Sequence, residues 1–143
     1  MNILFVCTGN TCRSPMAEAL LRHKGKEEFN VKSAGVFAAE GQKASFQTQE
    51  VLKENKITHE HISSLLNHED IRWADYIFTM TEGHKQTIVA MHPQAADKTF
   101  TLKEFINEGE LDRDVSDPFG GSLEIYRETY KELDGLIDSL TKK

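Results

Sequence analysis

The fold of this 143-residue chain is decided near its N-terminus by the stretch Ile3-Leu4-Phe5-Val6-Cys7-Thr8-Gly9-Asn10-Thr11-Cys12-Arg13-Ser14-Pro15. Its first four residues are continuously apolar and partly β-branched, which predicts a parallel strand buried on both faces. Ser14 is a favourable helix N-cap, Pro15 suits the first helical position, and good helix formers follow. The stretch therefore predicts a strand, a tight loop and a helix, in that order.

Residues 7–14, here called the anion-binding loop, place Cys7 and Arg13 at the two ends of the predicted turn. A loop that runs into a helix N-terminus directs unpaired N–H groups and partial positive charge at one spot. A thiol at that spot is expected to have a pKa in the range of roughly 3.5–7.5, so we predict that Cys7 is a thiolate at neutral pH. The planar guanidinium of Arg13 can bind two phosphoryl oxygens at once. Together the two residues predict phosphoryl transfer through a covalent bond to Cys7.

The rest of the chain alternates strand and helix patterns and contains no repeat or linker. Short apolar runs predict strands at 31–35, 76–80 and 99–102, and helical patterns occupy 45–55, a short segment after Asn67, a segment from Thr81 or Glu82 to Pro93, and 122–140. Residues 103–116 are acidic and irregular, which predicts a surface excursion. This order predicts an α/β fold, a single-domain three-layer α/β/α sandwich over 1–143 with a four-stranded parallel sheet and the anion-binding loop after the first strand.

The last predicted helix has the clearest periodicity in the chain. Its apolar and small residues recur every three or four positions, which predicts a stripe that packs on the sheet. The stripe consists of Ile125, Thr129, Leu133, Leu136, Ile137 and Leu140.

Composition excludes several classes of protein. A net charge of −6 disfavours a nucleic-acid partner, and no apolar run approaches the roughly 18 residues of a membrane span or resembles a signal peptide. Both cysteines lie in the anion-binding loop, where they cannot staple a secreted domain. We therefore expect a cytoplasmic monomer without a membrane partner. His59 and His61 are the only close histidine pair and have no third ligand nearby in sequence, so they predict a solvated turn and no metal site.

The run from Val6 to Glu18 resembles the active-site signature of the low-molecular-weight protein tyrosine phosphatase family. A second segment, Asp117-Pro118-Phe119, also resembles that family, and chain length and element order fit it. The resemblance implies that Cys7 is the nucleophile, Arg13 binds phosphate and Asp117 is the general acid, without a cofactor. Chemically, one carboxyl group can protonate the leaving atom in the first step and activate water in the second.

The remaining candidate residues surround the phosphoryl group. Asn10 is expected to brace the loop and Ser14 to stabilise the thiolate. Cys12 either forms a reversible disulfide with Cys7 that protects the nucleophile or is a small buried residue. Phe37 either forms a wall of the pocket or is tucked under its own loop. The full set of predicted substrate-binding residues is Thr8, Gly9, Asn10, Thr11, Cys12, Ser14, Phe37 and Phe119.

Three other functions compete with protein dephosphorylation. A thioredoxin-coupled arsenate reductase has a similar loop but uses further downstream cysteines, and this chain has none after Cys12. A phosphoprotein-binding module without turnover needs no acid, so Asp117 counts against it. A nucleotide-binding protein needs a glycine-rich phosphate motif after the first strand, which is absent here.

Thr11 bears on the choice of phosphorylated side chain. Tyrosine-specific members of the family typically carry Ile or Leu at this position and an aromatic pair after Asp-Pro, whereas this chain has Thr11 and Phe119-Gly120. Threonine here resembles the protein arginine phosphatase branch. A guanidinium must keep its N–H groups paired when it loses water, and a threonine hydroxyl and the Asp117 carboxylate can supply partners. We therefore favour phosphorylated proteins bearing phosphoarginine as substrates, with phosphotyrosine as the alternative.

Overall fold

The structure, a computed structural model, describes residues 1–107 and 111–143. Within them the strands are β1 (Asn2–Cys7), β2 (Asn30–Gly35), β3 (Tyr76–Thr79) and β4 (Thr99–Thr101). They form one sheet in the order β2-β1-β3-β4, and every neighbouring pair is parallel. The predicted four-stranded parallel sheet is therefore confirmed.

Helices cover both faces of this sheet. They are α1 (Arg13–Gly25), α2 (Phe46–Glu54), α3 (His68–Trp73), α4 (Glu82–Met91), α5 (Leu102–Ile106) and α6 (Leu123–Thr141), with 3-10 turns at Lys26–Glu28 and Pro93–Lys98. One buried cluster joins Leu4 and Ile77 of the sheet to α3 and α4. The other joins Phe5 and Phe78 to α1, α2, α5 and α6. The three-layer α/β/α arrangement is confirmed.

Polar N-caps fix where five of the helices begin. In each case the side chain accepts a hydrogen bond from a backbone N–H in the first turn, which satisfies a group that the helix itself leaves unpaired. The caps are Ser45, Asn67, Thr81, Thr101 and Ser122. Four of these starts agree with the sequence-based prediction to within one residue.

The cap at Thr101 was missed. The structure begins α5 at Leu102, a residue predicted to end a strand, and Lys103 is helical although 103–116 was predicted to be irregular. The reason is a reciprocal capping box, in which Thr101 Oγ1 accepts from the Glu104 N–H and Glu104 accepts from the Thr101 N–H. Residues 108–110 of that predicted excursion lie outside the described part of the chain.

Two further helix predictions need correction. Helix α1 already begins at Arg13, so Ser14 lies inside it and is not its N-cap. The stripe on α6 is buried except for Ile125, which is 45% exposed, but its main neighbours are the helices α1, α2 and α5. The apolar stripe of α6 is thus buried mainly by other helices on the same face of the sheet. Periodicity predicts that a stripe is buried but not which element covers it.

The carboxyl edge of the sheet positions the anion-binding loop. Cys7 ends β1 and is paired with Gly35, the last residue of β2. After β3, the N–H of Val115 donates to the carbonyl oxygen of Met80 at 2.8 Å, which brings the segment before α6 to the same edge. Ligands of open α/β sheets bind at this edge, so the topology places residues far apart in sequence around one site.

No helix within 1–107 and 111–143 combines the length and the apolar character needed to cross a membrane.

Gly35 is required by its contact with the anion-binding loop, which gives a prediction about stability. A Cβ at this position would lie 2.4 Å from the Thr8 carbonyl oxygen, 2.9 Å from Ala38 Cβ and 3.0 Å from the Asn10 nitrogen. Because two of these neighbours are backbone atoms, we expect Gly35→Ala to lower the free energy of unfolding by about 2–3 kcal/mol and to reduce activity, since it displaces the loop. Urea unfolding measures the first effect.

The matched control is Gly135→Ala, on the exposed side of α6. A Cβ there meets nothing within 4 Å, so the substitution should raise the free energy of unfolding by about 0.5–1 kcal/mol through helix propensity. Equal effects of the two substitutions would contradict the role given to Gly35.

Candidate active site

The anion-binding loop forms the floor of a cavity of about 220 Å³. Eight of the eleven residues predicted for the site line it, and they come from the loop and from the segment before α6. They are Cys7, Thr8, Gly9, Thr11, Cys12, Arg13, Asp117 and Phe119. The structure thus brings Asp117 to the loop across about 110 positions of sequence.

Asn10, Ser14 and Phe37, also predicted to bind substrate, do not line this cavity. Phe37 is 76% exposed and stands outside the cavity wall, because its backbone N–H is tied to the Thr8 carbonyl oxygen while its ring extends into solvent. Asn10 and Ser14 belong to the loop, but both are fully buried. These two residues therefore hold the loop in its shape through hydrogen bonds and do not line the cavity.

Asn10 adopts a left-handed conformation, with φ of 58°. Its side-chain NH₂ donates to the hydroxyls of Ser14 at 2.8 Å and Ser33 at 2.9 Å, and its side-chain oxygen accepts from the Ser64 N–H at 2.9 Å. The backbone carbonyl oxygen of Asn10 lies 2.6 Å from Nε2 of His61. Asparagine tolerates positive φ better than most residues, and these contacts fix the curled loop from behind.

The Cys7 thiol is buried, with 3% of its surface exposed, and its sulfur lies 2.8 Å from Ser14 Oγ. Because Ser14 Oγ accepts a hydrogen bond from Asn10, the Ser14 hydroxyl proton is free to point at the sulfur.

Burial raises the pKa of the Cys7 thiol, and this effect outweighs four that lower it: the Ser14 hydroxyl, the backbone N–H groups of Ser14 and Asn10, and the charge of Arg13. The sequence-based prediction of a lowered thiol pKa is therefore wrong. It counted the groups that favour the thiolate but could not count the loss of water around the sulfur.

Arg13 is held at the cavity by two groups from the segment before α6. Its Nη1 donates to the Val115 carbonyl oxygen at 2.9 Å, and its Nη2 lies 3.6 Å from Asp117 Oδ2. Arg13 is 4% exposed, whereas the Asp117 side chain is 55% exposed. Asp117 Oδ1 also accepts from the Phe119 N–H at 3.0 Å. The guanidinium is thus fixed in place, and the carboxyl group faces the cavity mouth.

His84 on α4 is a neighbour of the loop that sequence analysis missed. Its Nε2 lies 2.8 Å from Oγ1 of Thr8. Burial, reinforced by the charge of Arg13, lowers the pKa of His84 to about 4, although Asp114 and Asp117 act in the opposite direction. The imidazole is therefore neutral at pH 7. Nothing in its local sequence distinguishes it from an ordinary helical histidine.

Cys12 lies between the cavity and the core. Its sulfur is 3.3 Å from the hydroxyl oxygen of Tyr126 on α6 and 3.7 Å from Ser45 Oγ. Burial and the neighbouring Cys12 raise the pKa of Tyr126 to about 12, so its hydroxyl stays protonated. Cys7 and Cys12 are both free thiols. Cys12 is thus a buried residue, as one of the two alternatives has it, and it also lines the cavity. Its disulfide with Cys7 stays a prediction.

The pair His59 and His61 is not the solvated turn predicted from the sequence. Their side chains are only 9% and 4% exposed, and Glu18 of α1 lies beside both. No local pattern indicates this neighbour, because Glu18 is about 40 positions away.

Comparison with known proteins identifies relatives along almost the whole chain. The family model described as low molecular weight phosphotyrosine protein phosphatase matches residues 2–143. A protein-arginine-phosphatase of Geobacillus stearothermophilus is 56% identical, covering 99% of this chain and 94% of the relative. A protein-arginine-phosphatase of Bacillus subtilis is 47% identical, covering 100% and 96%. A low molecular weight protein-tyrosine-phosphatase of Staphylococcus haemolyticus is 39% identical, covering 98% and 97%.

Solved structures agree with this relationship. An arginine phosphatase from Geobacillus stearothermophilus matches with a TM-score of 0.95 and 55% identity, covering 99% of this chain and 90% of the other. A cysteine-to-serine variant of an arginine phosphatase, described as having a phosphorylated active-site serine, matches with a TM-score of 0.94 and 46% identity, covering 99% and 94%. The anion-binding loop, the parallel sheet and the match over residues 2–143 agree, and this chain belongs to the low molecular weight phosphotyrosine protein phosphatase family.

Proposed function

We propose that this protein removes phosphoryl groups from phosphoarginine side chains of proteins, with Cys7 as nucleophile. The observation that carries the proposal is the meeting of Cys7, Arg13 and Asp117 at one cavity. The names of two relatives at 56% and 47% identity, both protein-arginine-phosphatases, support the choice of substrate.

In the first step, the Cys7 thiol gives its proton to a phosphoryl oxygen of the bound substrate, and the sulfur then attacks phosphorus. The Ser14 hydroxyl and the N–H groups near the sulfur stabilise the anion, and Arg13 binds phosphoryl oxygens with the N–H groups that Val115 does not occupy. The bond from phosphorus to the guanidinium nitrogen breaks as the S–P bond forms. Asp117, in its protonated form, gives its proton to the leaving nitrogen.

In the second step, water replaces the cysteine. The Asp117 carboxylate takes a proton from the water, the water oxygen attacks phosphorus and the S–P bond breaks. The Cys7 sulfur takes its proton back from the phosphate, and inorganic phosphate leaves. The exposed position of Asp117 suits this step, because its carboxylate can contact water at the cavity mouth. The phosphorylated serine in the cysteine-to-serine variant of an arginine phosphatase supports a covalent phosphoryl intermediate in this family.

Phosphotyrosine is the second candidate substrate. A relative at 39% identity carries the name of a protein-tyrosine-phosphatase, and Phe119 at the rim of the cavity offers a surface for an aromatic ring. Thr11, which lines the same cavity, favours the guanidinium because its hydroxyl can accept a hydrogen bond from an N–H group.

The proposed enzyme acts as a cytoplasmic monomer on phosphorylated proteins, without nucleic acid. The two free thiols suit a reducing compartment. The net charge of −6 disfavours a polyanionic partner.

Asp117→Asn tests the general acid. We expect turnover of phosphoarginine to fall about a hundredfold or more, because the leaving nitrogen needs a proton, and turnover of p-nitrophenyl phosphate to fall much less, because its leaving oxygen needs little protonation. Steady-state kinetics with both substrates measures the difference. Asp114→Asn is the matched control, since Asp114 caps the Glu82 N–H and does not line the cavity. Equal slowing of both substrates by Asp117→Asn would remove Asp117 from the role of acid.

Thr11→Ile tests substrate choice. The change removes a hydrogen-bonding hydroxyl, whose loss costs a buried guanidinium about 1–3 kcal/mol, and adds apolar contact worth about 1–2 kcal/mol to an aromatic ring. We expect the ratio of kcat/KM for phosphoarginine over phosphotyrosine to fall by about two orders of magnitude. Both substrates should be measured on both proteins. The wild-type ratio tests the proposed function itself, and an unchanged ratio in the variant would show that Thr11 does not select the substrate.

The two cysteines predict redox control. We expect peroxide to convert Cys7 to a sulfenic acid, which Cys12 then attacks with loss of water to form a disulfide, and a dithiol to restore activity. Mass spectrometry of the oxidised protein identifies the product. Cys12→Ser is the matched variant, in which inactivation should become harder to reverse. A recoverable wild-type product with a Cys7 sulfenic acid and a free Cys12 thiol would contradict the protective role.

A further inference from the structure

Behind the anion-binding loop, Glu18, His59 and His61 form a compact group that the reaction does not use. Glu18 belongs to α1, and the two histidines belong to the extended segment between α2 and α3. Glu18 Oε1 lies 3.7 Å from Nε2 of His59 and 3.6 Å from Nδ1 of His61, and one nitrogen or oxygen atom from each residue lies within 4.8 Å of the others. All three side chains are more than nine-tenths buried.

The hydrogen bonds around the group leave two imidazole nitrogens available as ligands. The Asn10 carbonyl oxygen can only accept, so the hydrogen bond at 2.6 Å places a proton on Nε2 of His61 and leaves Nδ1 facing Glu18. Nε2 of His59 is buried and has no hydrogen-bond partner. Its distance to Glu18 is also too long for a good hydrogen bond. An unpaired buried nitrogen is costly unless some ligand satisfies it.

Glu18 is prepared as an anionic partner. Its Oε1 accepts a hydrogen bond from the Ser33 hydroxyl at 2.6 Å, and its Oε2 lies 2.9 Å from the Arg22 guanidinium. The carboxylate is therefore paired with a cation and fixed in orientation.

We propose that Glu18, His59 and His61 bind a divalent transition-metal ion, with Zn²⁺ the best fit. Two imidazole nitrogens and one carboxylate oxygen form a ligand set typical of zinc sites that keep a fourth position for water. With zinc bonds of about 2.0–2.1 Å, tetrahedral ligand atoms lie about 3.4 Å apart. The two separations from Glu18 need to shorten by about 0.2–0.3 Å. The ligand atoms all lie within 4.8 Å of one another, so the separation between the two imidazole nitrogens needs to shorten by about 1.4 Å at most. The hydrogen bond from His61 to a backbone carbonyl is the outer contact that orients metal-binding histidines.

Two cavities give an ion and its water access to this group. One, of about 350 Å³, is lined by His59 and His61, and the other, of about 290 Å³, by Glu18 and His61. Neither includes Cys7, so the proposed metal site is separate from the cavity where phosphoryl transfer takes place. It still contacts the loop, because His61 and, through Ser33, Glu18 are hydrogen-bonded to Asn10.

Isothermal titration of the full chain with Zn²⁺ tests the proposal, using variants chosen to separate the possible ligands. Wild type should bind one ion. His59→Gln should weaken binding by roughly a hundredfold or more, because loss of even an outer contact costs 10–100-fold. Cys7→Ser should bind as wild type does, which excludes the nucleophile thiolate as the ligand. His68→Gln is the matched control, since His68 is exposed and forms the other close histidine pair, with His92.

A spectroscopic measurement on the wild-type protein keeps the test decisive if His59→Gln fails to fold. With Co²⁺ in place of Zn²⁺, the site should give the visible absorption of a four-coordinate ion without a thiolate charge-transfer band. The proposal is overturned by any of three results: no one-to-one binding in the micromolar range, binding unaffected by His59→Gln, or binding lost in Cys7→Ser with a thiolate band in the wild type.

Discussion

The curled anion-binding loop depends on the hydrogen bonds of Asn10. This residue is buried with a positive φ, a conformation that is costly for most side chains. Its amide reaches two hydroxyls and a backbone N–H, so the side chain is drawn into the protein and cannot enter the cavity. Because the loop is curled in this way, Cys7 and Arg13 line the same cavity.

The same hydrogen bonds determine which polar groups surround the buried Cys7 sulfur. Asn10 donates to Ser14, and Ser14 is thereby left with its proton for Cys7. These groups replace the water that burial removes, but they do so incompletely, which is why the pKa of Cys7 is raised. The loop is therefore better described as a preorganised environment for sulfur that carries charge during the reaction than as one that keeps the thiol ionised at rest.

Local signals accounted for much of the fold and of the site. The four strands, the capped helix starts at Ser45 and Thr81, and the grouping of Cys7 with Arg13 all depend on residues close in sequence. The surroundings of the loop could not be predicted in the same way. His84 approaches Thr8 from 76 positions away, and no periodic pattern marks such a contact.

Two of the failures have the same physical origin. Cys7 has a raised pKa because of burial by the whole fold, not because of its neighbours in sequence. The sequence predicts a solvated turn at His59 and His61 because it does not show that α1 passes beside them. In contrast, α5 was missed although its capping box, Thr101 with Glu104, is local, because the run before it resembles a strand that continues one residue further.

The charges around the cavity bear on which phosphorylated side chain it can accept. Burial and the field of Arg13 together keep His84 neutral, so positive charge at the cavity is concentrated on Arg13, which we propose binds the phosphoryl group. A substrate guanidinium then meets no second cation from His84. Instead it meets the exposed carboxyl group of Asp117 and the hydroxyl of Thr11, both of which can pair with its N–H groups. An uncharged tyrosine ring gains nothing from this arrangement, so the electrostatics of the cavity favour the cationic side chain.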